Sequence, residues 1–426
     1  MRICTTYGSA VPLRKGAEMH EIRLDVFDSI PEADDSSLLV TLCGRDISAV
    51  PEGFGGLVDV GDRDVRTSLR KIRSVHDFSG TPAADEIVGM LSEGDQEISK
   101  GAFRASSFAD LHSILEASKR LGRKHVLIGM GQIGEITRIR SALLGNEFTF
   151  GFSGTSTAPG QLSTDLMEEL GDDCVLVGIT GHPLSHSRSP AMQDAAIRAA
   201  GINGKYLVFD SPDLDRAEDV IRGYGIRGLN VTIPYKQSII EHLDSASEAS
   251  SAIGAVNTVV NDGGRLVGGN TDTVGIEYAL LDVPLRGRRA LIMGSGGAAR
   301  AAAYTLGSLG CAVSVAGRNG RTVAGISREF GAEIHSGTVQ GFDLIVNCTP
   351  IGLVEGEYPA DISPLTGDQT VFDMVYGRET PLTSAAAYKG CRVVDGKEML
   401  VGQGAASFRM WFGKDPDCDV MRGALE

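Results

Sequence analysis

Short apolar runs alternate with helical patterns along the first 170 residues. Eight strand-like runs lie at Arg2–Tyr7, Met19–Phe27, Leu38–Cys43, Gly56–Gly61, Arg70–Phe78, Glu97–Phe103, Lys124–Gly131 and Glu147–Gly154. Apolar residues at three- and four-residue spacing follow the later runs, at Asp85–Leu91, Phe108–Leu121, Ile136–Leu144 and Leu162–Leu170. Alternating strands and helices imply parallel pairing, so eight of them predict an α/β fold closed into a (β/α) barrel.

The first half of this barrel is short of helices. The segments between the first five strands have about 8 to 12 residues, at or below the length that a parallel crossover needs. A barrel of this type usually takes about 250 residues, and this part of the chain has about 170. We therefore expect a reduced first half, with strand faces that the other domain or a second chain must cover. A homodimer through this half would provide that cover.

A strand–turn–helix–strand unit lies further along the chain. Its parts are the strand Arg289–Met293, the turn 294–300, the helix Ala301–Leu309 and the strand Cys311–Gly317. The turn reads G-x-G-x-x-A, in which Gly294 allows the sharp turn, Gly296 lets a pyrophosphate approach and Ala299 permits close packing. Arg318 follows the second strand, at the position where an NAD site would carry an acidic residue for the ribose hydroxyls. Because an arginine there suits the 2′-phosphate of NADP, the pattern favours NADP over NAD. A solvent-exposed turn arginine is the alternative.

The bulk properties narrow the class of protein. A chain of 426 residues should hold two or three domains. Its net charge of −15 argues against nucleic acid and anionic membranes as partners. Its seven cysteines are scattered singly, which is typical of reduced thiols, and no apolar run is long enough to span a membrane. These features predict a soluble cytoplasmic protein with no metal site.

Charged residues inside the barrel strands are candidates for chemistry. Glu21, Arg23 and Asp25 alternate along one strand and should share a face, either in a polar site or on an exposed edge. His76 is a core histidine or an acid/base group. Lys100 shares its face with apolar residues, which is costly unless the amine reaches solvent or has a lowered pKa. A lowered lysine pKa is what Schiff-base chemistry needs.

These residues carry a resemblance to a known family. Glu21-x-Arg-x-Asp25, Ser74-Val-His-Asp-Phe-x-x-Thr-Pro82, Lys100, Arg138 and Ala158-Pro-Gly-Gln161 occur in the order of type I 3-dehydroquinate dehydratase, over roughly residues 1–165. The resemblance implies that Lys100 forms an imine with the substrate ketone and that His76 is the acid/base. It also implies that Glu21 orients His76. The implied substrate-binding residues are Glu21, Arg23, Arg138, Thr157 and Gln161.

One position departs from that family's pattern. The family usually has Thr-x-Arg, whereas Thr41-Leu-Cys43 places a cysteine at the arginine position. Arg45, two residues on, is the candidate substitute. A barrel kept as a non-catalytic scaffold or oligomerisation module is therefore an alternative, against which the presence of both His76 and Lys100 weighs.

The middle of the chain contains a second group of polar motifs. A strand at Cys174–Ile179 leads through a serine-rich loop to a helix at Ala191–Ala200, which Ser189 could cap. Lys236 falls in the first turn of a predicted helix Tyr235–Leu243, where the helix dipole disfavours its charged form. Asp272 starts a predicted helix Thr273–Leu281, as an N-cap or as a catalytic group.

Residues 174–414 resemble shikimate dehydrogenase, through the serine loop, Asn230-Val-Thr-Ile-Pro-Tyr-Lys236, Gly254-Ala-Val-Asn257 and Asn270-Thr-Asp272. The resemblance implies Lys236 and Asp272 as the catalytic pair. It implies Ser187, Ser189, Thr232, Asn257, Tyr376 and Gln403 as substrate-binding residues. It implies Gly294, Gly296, Gly297, Ala298, Arg318, Asn319, Arg321, Thr349, Met374 and Gly396 as residues that bind NADP.

Together the two resemblances predict two consecutive steps on one chain. The barrel, 1–170, would dehydrate 3-dehydroquinate. A substrate domain, 174–282 with 397–426, and a Rossmann-type NADP domain, 283–396, would reduce the 3-dehydroshikimate to shikimate. Two alternatives remain: a shikimate or quinate dehydrogenase with an inert barrel, and a metabolite-sensing regulatory protein with both sites degenerate. We further expect helix Gly404–Phe412 to return to the substrate domain and the tail after Gly413 to fray.

Overall fold

The computed structural model describes residues 1–352 and 358–426. The chain divides into two compact units, Met1–Ser185 with Asn203–Ile226, and His186–Ile202 with Arg227–Glu426. Among the described residues, no helix has the length and apolar character needed to cross a bilayer. The division into three domains stays a prediction.

The first unit opens with a parallel barrel. Its elements are β1 Ile3–Tyr7, β2 Met19–Arg23, β3 Leu38–Thr41, β4 Leu57–Asp59, β5 Arg70–Asp77, α1 Ala84–Ser92, β6 Ile98–Arg104, α2 Phe108–Arg120, β7 His125–Met130, α3 Glu135–Ile139, β8 Thr149–Ser153 and α4 Thr164–Leu170. The strands pair in the order β7-β6-β5-β4-β3-β2-β1-β8. A parallel bridge between His125 and Asn146 spans the seam between β7 and β8. The prediction of an eight-stranded barrel is confirmed.

Side chains that point into the barrel form two layers. The lower layer is apolar and includes Met19, Leu39, Ile72, Ile98 and Phe148, all buried. Since successive residues of a strand point to opposite faces, the inward positions two residues on carry the polar groups of the site. The apolar layer therefore closes the floor beneath a polar upper layer.

The half of the barrel without helices has a second apolar core on its outer side. No α-helix lies between β1 and β5; two short 3₁₀ turns, Asp35–Ser37 and Ile47–Ala49, are the helical elements there. Outward-facing Val40 and Val58 pack with Val50 and Phe54 from the loops. The expectation that another domain or a second chain must cover these faces is wrong, because the chain's own loops cover them.

The middle of the chain contains β9 Val175–Gly181, α5 Ser189–Ala199, β10 Gly204–Asp210, α6 Ala217–Gly223, β11 Ile226–Val231, β12 Ser245–Ala246, α7 Glu248–Ile253, β13 Thr258–Asp262, β14 Arg265–Gly269 and α8 Asp272–Ala279. Strands β9 and β10 pair in parallel. In the second unit, β13 pairs antiparallel with both β11 and β14, and β12 runs parallel to β14.

One local prediction in this region is wrong, and the capping alternatives for Ser189 and Asp272 are excluded. The expected helix Tyr235–Leu243 is a turn followed by a 3₁₀ helix, Ser238–His242. Lys236 therefore lies outside any α-helix, and the helix-dipole argument for its neutral form loses its basis. Helices α5 and α8 begin at Ser189 and Asp272 themselves, each without a side-chain cap. Neither residue is an N-cap, so both side chains are available for other contacts.

The remainder of the second unit contains a parallel sheet and two closing helices. Its elements are β15 Arg289–Met293, α9 Gly297–Ser308, β16 Ala312–Ala316, α10 Gly320–Phe330, β17 Glu333–Ile334, β18 Leu344–Asn347, β19 Thr370–Asp373, α11 Pro381–Tyr388, β20 Arg392–Val394, α12 Gly396–Phe412 and α13 Cys418–Gly423. The strand order β17-β16-β15-β18-β19-β20 is the 3-2-1-4-5-6 order of dinucleotide-binding sheets. The predicted Rossmann-type fold is confirmed.

The C-terminal segment differs from its prediction. Helix α12 begins at Gly396, eight residues before the expected start, and packs against α8. The tail after Gly413 forms α13, in which Asp417 caps the first turn and Met421 is fully buried. The prediction of a frayed tail is wrong, because that buried methionine anchors the helix.

Candidate active sites

A buried ion pair lies in the upper layer of the barrel. Lys100 on β6 places its Nζ 3.1 Å from Oδ2 of Asp59 at the end of β4. The other carboxylate oxygen of Asp59 accepts hydrogen bonds from Ser74 Oγ at 2.6 Å and from the Gly61 amide at 2.9 Å. The Lys100 ammonium also lies 4.5 Å from the centre of the Phe150 ring. Asp59 is a candidate site residue that the sequence analysis missed.

The electrostatics of this pair reverse one expectation. Burial alone would favour neutral Lys100, but the carboxylates of Asp59 and Glu21 outweigh burial and raise the lysine pKa. Burial likewise opposes ionised Asp59, yet the Lys100 ammonium and the hydrogen bonds from Ser74 and Gly61 lower its pKa. Of the two alternatives considered for Lys100, a lowered pKa is therefore contradicted, and both groups are charged.

Glu21 does not hydrogen-bond to His76. Its two carboxylate oxygens accept from Thr6 Oγ1 at 2.6 Å and from Thr41 Oγ1 at 2.8 Å. The His76 imidazole opens to solvent at the barrel mouth and stacks on Phe78, with ring centres 6.2 Å apart. The residue is exposed, yet the barrel wall desolvates part of its ring. This partial desolvation, and then the Lys100 ammonium, lower the His76 pKa. The neutral imidazole is therefore favoured, which is the form that accepts a proton.

Arg23 is occupied by a neighbouring carboxylate. Its guanidinium donates to both oxygens of Asp25, at 3.1 and 2.7 Å. Because β2 ends at Arg23, Asp25 lies beyond the strand and not along it as predicted. The Cys43 side chain also hydrogen-bonds to Asp25, and burial with this contact raises the thiol pKa to about 11. The cysteine at the unusual position is thus a neutral donor to Asp25.

A buried cation lies on the opposite side of the barrel mouth. Arg138 is 3% exposed, and its Nε donates to the Gly160 carbonyl at 3.1 Å. Burial lowers its pKa to about 10, so it stays charged at neutral pH. The Glu135 carboxylate acts in the opposite direction and favours the charged guanidinium. Gln161 Oε1 accepts from the Thr157 amide and hydroxyl, at 2.9 and 3.1 Å, which leaves the Gln161 amide hydrogens for a ligand.

A second charged pair lies in the second unit. Lys236 Nζ is 2.5 Å from Asp272 Oδ2, and Asp272 Oδ1 accepts from Asn257 Nδ2 at 2.8 Å. Asn257 Oδ1 in turn accepts from the Thr271 amide at 2.7 Å, and its Nδ2 lies 3.5 Å from Gln403 Oε1. Residues from four separate segments of the chain therefore meet in one hydrogen-bonded group. This arrangement fixes the carboxylate against the lysine.

The serine loop contacts the end of β19. The Tyr376 hydroxyl hydrogen-bonds with the Ser187 side chain, and burial raises the tyrosine pKa. Ser189, at the start of α5, is 5% exposed. Ser187 and Tyr376, both predicted to bind substrate, are therefore in direct contact.

A cleft of about 880 Å³ follows the carboxyl ends of the Rossmann strands. Among the predicted residues, those that line it are Thr232, Lys236, Gly294, Gly296, Gly297, Ala298, Arg318, Asn319 and Thr349. Arg321, Met374 and Gly396 are not among the residues that line the cleft. A side chain placed at Gly396 would clash with the Met374 carbonyl. His335 and Ser336, which the sequence analysis missed, also line the cleft just after β17. Their position directly after β17 could have predicted this, because ligands of such sheets bind at the carboxyl ends of the strands.

The cleft fits a dinucleotide. Gly294 adopts φ +122°, which glycine alone adopts readily. No atom of the described residues lies within 4 Å of a side-chain carbon placed at Gly296. The exposed Arg318 guanidinium has no ion pair among the described residues. Backbone amides at a helix start and a free arginine suit the pyrophosphate and the 2′-phosphate of NADP.

Comparison with known proteins gives matches to both parts of the chain. Residues 61–171 match the family model for type I 3-dehydroquinase. Residues 179–259 match the model for the shikimate dehydrogenase substrate binding domain, and residues 396–426 match the model for the shikimate 5′-dehydrogenase C-terminal domain. Shikimate dehydrogenase (NADP(+)) of Archaeoglobus fulgidus is 43% identical over 266 residues, covering 58% of this chain and 96% of the relative.

Two solved structures place these matches in the fold. The structure of shikimate dehydrogenase from Aquifex aeolicus is 32% identical in sequence and has a TM-score of 0.58. The match covers 59% of this chain and 98% of the Aquifex chain. Dehydroquinate dehydratase and shikimate dehydrogenase from S. pombe AroM is 25% identical with a TM-score of 0.50, covering 96% of this chain and 93% of that one. The chain therefore belongs to the shikimate dehydrogenase family and carries a type I 3-dehydroquinase barrel ahead of the dehydrogenase.

Proposed function

We propose that this chain catalyses two consecutive steps: dehydration of 3-dehydroquinate to 3-dehydroshikimate in the barrel, and reduction of that product to shikimate with NADPH. The observation that carries the proposal is the pairing of a lysine with a carboxylate in each site, Lys100 with Asp59 and Lys236 with Asp272. Each pair suits the chemistry of its own step.

In the barrel, the Lys100 amine attacks the substrate ketone and forms an imine, which acts as an electron sink. Neutral His76 removes the proton next to the imine carbon and returns a proton to the departing hydroxyl. Arg138, buried and charged, binds the substrate carboxylate. Arg23 and Gln161 hold the ring hydroxyls.

In the second unit, NADPH supplies the hydride when bound. Gly294 and Gly296 admit its pyrophosphate, and Arg318, Asn319 and Arg321 hold the 2′-phosphate. Lys236 donates a proton to the substrate carbonyl oxygen. Asp272, fixed by Asn257, orients the lysine and accepts from the neighbouring hydroxyl.

Ser187, Ser189, Thr232, Tyr376 and Gln403 complete the substrate site. The contact between Ser187 and Tyr376 supports a shared role in holding the substrate carboxylate. Thr349, Met374 and Gly396 complete the nicotinamide end. Thr349 is held by Asn347, whose Oδ1 accepts from its amide at 3.0 Å.

We also place the enzyme in the cytoplasm, because its seven cysteines are free and thiols persist in reducing compartments. A homodimer through the helix-poor half of the barrel stays a prediction. The apolar faces that suggested it are already buried by loops of the same chain.

Borohydride trapping tests the proposal. The full chain is incubated with 3-dehydroquinate and reduced, and the modified peptide is identified by mass spectrometry. We expect a substrate adduct on Lys100, no adduct in Lys100→Met, and equal NADPH-dependent reduction of 3-dehydroshikimate by both proteins. Unmodified Lys100 with full dehydrogenase activity would identify the barrel as an inert scaffold.

A further inference from the structure

The charge state of Lys100 poses a chemical problem. An ammonium has no lone pair and cannot attack a ketone, yet the neighbouring carboxylates keep Lys100 charged in the unliganded barrel. Imine formation therefore needs a group that takes one proton from Nζ at the moment of attack. It also needs an acid that expels the carbinolamine hydroxyl as water.

Four titratable groups face Lys100 from the surrounding strands: Cys4 on β1, Glu21 on β2, Asp59 on β4 and His76 on β5. Asp59 is the one within hydrogen-bond distance, with Oδ2 at 3.1 Å. Glu21 has both oxygens engaged by threonine hydroxyls. Burial raises the Cys4 thiol pKa, so that group is already protonated. Asp59 is therefore the group placed to take the proton.

We propose that Asp59 takes the proton of Lys100 as 3-dehydroquinate binds, returns it to the leaving hydroxyl, and then serves as the counter-ion of the iminium. This inference rests on the proposed dehydratase function. It makes Asp59 a catalytic residue of imine formation, beside the roles of Lys100 and His76.

The steps balance without an outside proton. A proton passes from Nζ to Asp59 Oδ2, and the freed lone pair forms the N–C bond while the carbonyl electron pair moves to oxygen. One nitrogen proton moves to that oxygen, which gives the carbinolamine. Asp59 then protonates the hydroxyl, the C–O bond breaks, and the nitrogen lone pair forms the C=N bond as water leaves. An ammonium and a ketone have become an iminium and water.

The surroundings of Asp59 suit this exchange. Ser74 and Gly61 hold Oδ1, so Oδ2 remains directed at Lys100 throughout. Once Lys100 has lost its charge, burial of Asp59 favours the protonated carboxyl. When the iminium forms, a positive charge returns to the same nitrogen and the ionised carboxylate is again favoured. The hydrogen bonds to Oδ1 need not rearrange.

Asp59→Asn in the full chain tests the inference, with Ser74→Ala as the matched control. The amide keeps the shape and an acceptor for Gly61, but it cannot carry the proton. We expect the rate of borohydride-trapped adduct on Lys100 to fall about 100-fold, the scale of general acid–base catalysis. Ser74→Ala keeps the carboxyl and should lose less than about tenfold, the scale of one hydrogen bond.

The pH dependence separates catalysis from a structural role. In the native chain the trapping rate should be flat across neutral pH, because the proton stays within the pair. In Asp59→Asn the expelling proton comes from solvent, so the rate should fall about tenfold per pH unit above neutrality. If the trapping rate of Asp59→Asn is lower than that of the native chain by the same factor at every pH, Asp59 has only a structural role and the inference is overturned.

Folding of the variant barrel is checked with quinate, which carries a hydroxyl in place of the reactive ketone. If quinate still competes with 3-dehydroquinate for trapping on Lys100 in Asp59→Asn, the barrel site of the variant is assembled. If it is not assembled, Ser74→Ala still tests the inference, because it keeps the carboxyl and its trapping rate should stay flat across neutral pH. Native trapping by Asp59→Asn would overturn the inference while leaving the dehydratase function intact. Failure of the native chain to form any adduct would instead overturn the proposed function.

Discussion

Lys236 lies against Gly297. A side-chain carbon placed at Gly297 would come 3.2 Å from Cβ of Lys236 and 3.3 Å from its Cδ. Gly297 is the first residue of α9, at the dinucleotide turn, and Lys236 is the proposed proton donor. The absence of a side chain at Gly297 therefore sets where the lysine stem can lie.

The Gly297→Ala variant tests this relationship. The added methyl forces the lysine stem to shift by a few tenths of an ångström, so we expect kcat for 3-dehydroshikimate reduction to fall on the order of tenfold. In Gly296→Ala the methyl faces the open cleft, so the KM for NADPH should rise with kcat nearly kept. Identical kinetic changes in the two variants would contradict a specific contact with Lys236.

Lys236→Met should abolish most of the dehydrogenase activity. Loss of a general acid reduces kcat by about 10² to 10⁴. Because Lys236 belongs to the second unit, the dehydration rate of 3-dehydroquinate should not change. Lys389→Met, at an exposed lysine of the same unit, is the control and should keep both rates. A dehydrogenase that survives Lys236→Met would remove this lysine from the mechanism.

Arg318→Gln tests cofactor choice. A charged hydrogen bond contributes about 1.5–3 kcal/mol, so the KM for NADPH should rise about ten- to 100-fold while that for NADH stays level. Steady-state kinetics with both cofactors measure the change. Arg328→Gln, in the last turn of α10, is the control and should leave both constants unchanged. Equal losses with NADPH and NADH would show that Arg318 does not contact the 2′-phosphate.

The dehydratase should keep its activity in mildly acidic solution. His76 must be neutral to accept a proton, and burial with the Lys100 ammonium lowers its pKa below the ordinary value of about 6.5. As pH falls, activity is lost only when the imidazole becomes protonated, so the acid limb of kcat/KM should lie below about 6.5. Initial rates of dehydration across that range measure it. An acid limb above the ordinary histidine value would contradict this environment.

Cys43 should react slowly despite its exposure. Its thiol pKa of about 11 leaves on the order of 0.1% thiolate at pH 8. Iodoacetamide labelling at Cys43, followed by peptide mass spectrometry, should accelerate about tenfold per pH unit up to that pKa. Removing the hydrogen-bond acceptor with Asp25→Ala should speed labelling at pH 8. Rapid labelling of the unchanged chain would show that the contact with Asp25 does not hold the proton.

Periodicity was sufficient for the eight strands of the barrel and for the strand–turn–helix–strand unit of the Rossmann-type sheet, because each depends on repeated local patterns. The roles of Lys100 and Lys236 came from the motifs and the family resemblances and stay predictions. It missed Asp59 because β4 has three residues, too few to show alternation, and an aspartate at a strand end looks like a turn residue. The available signal was its position two residues after Leu57, which faces the barrel interior. Residues two apart in a strand point to the same face, so Asp59 points inward as well. Without the position of Asp59, the charge state of Lys100 could not be inferred.

The other errors arose where tertiary contacts override local pattern. The segment after Pro234 has helical spacing but forms a turn and a 3₁₀ helix. Ser189 and Asp272 are good capping residues in isolation, yet each lies within its helix. The tail looked polar because its anchor, Met421, is a single apolar residue that only the folded chain buries.

The loops that bury the outer faces of β3 and β4 change which parts of the barrel can vary. Surface loops usually accept insertions, but Val50 and Phe54 occupy interior positions. Lengthening the segment between β3 and β4 would draw these anchors out of place and expose the strands beneath. In this half of the barrel the connections act as the outer layer, so engineering by loop grafting should begin in the helical half.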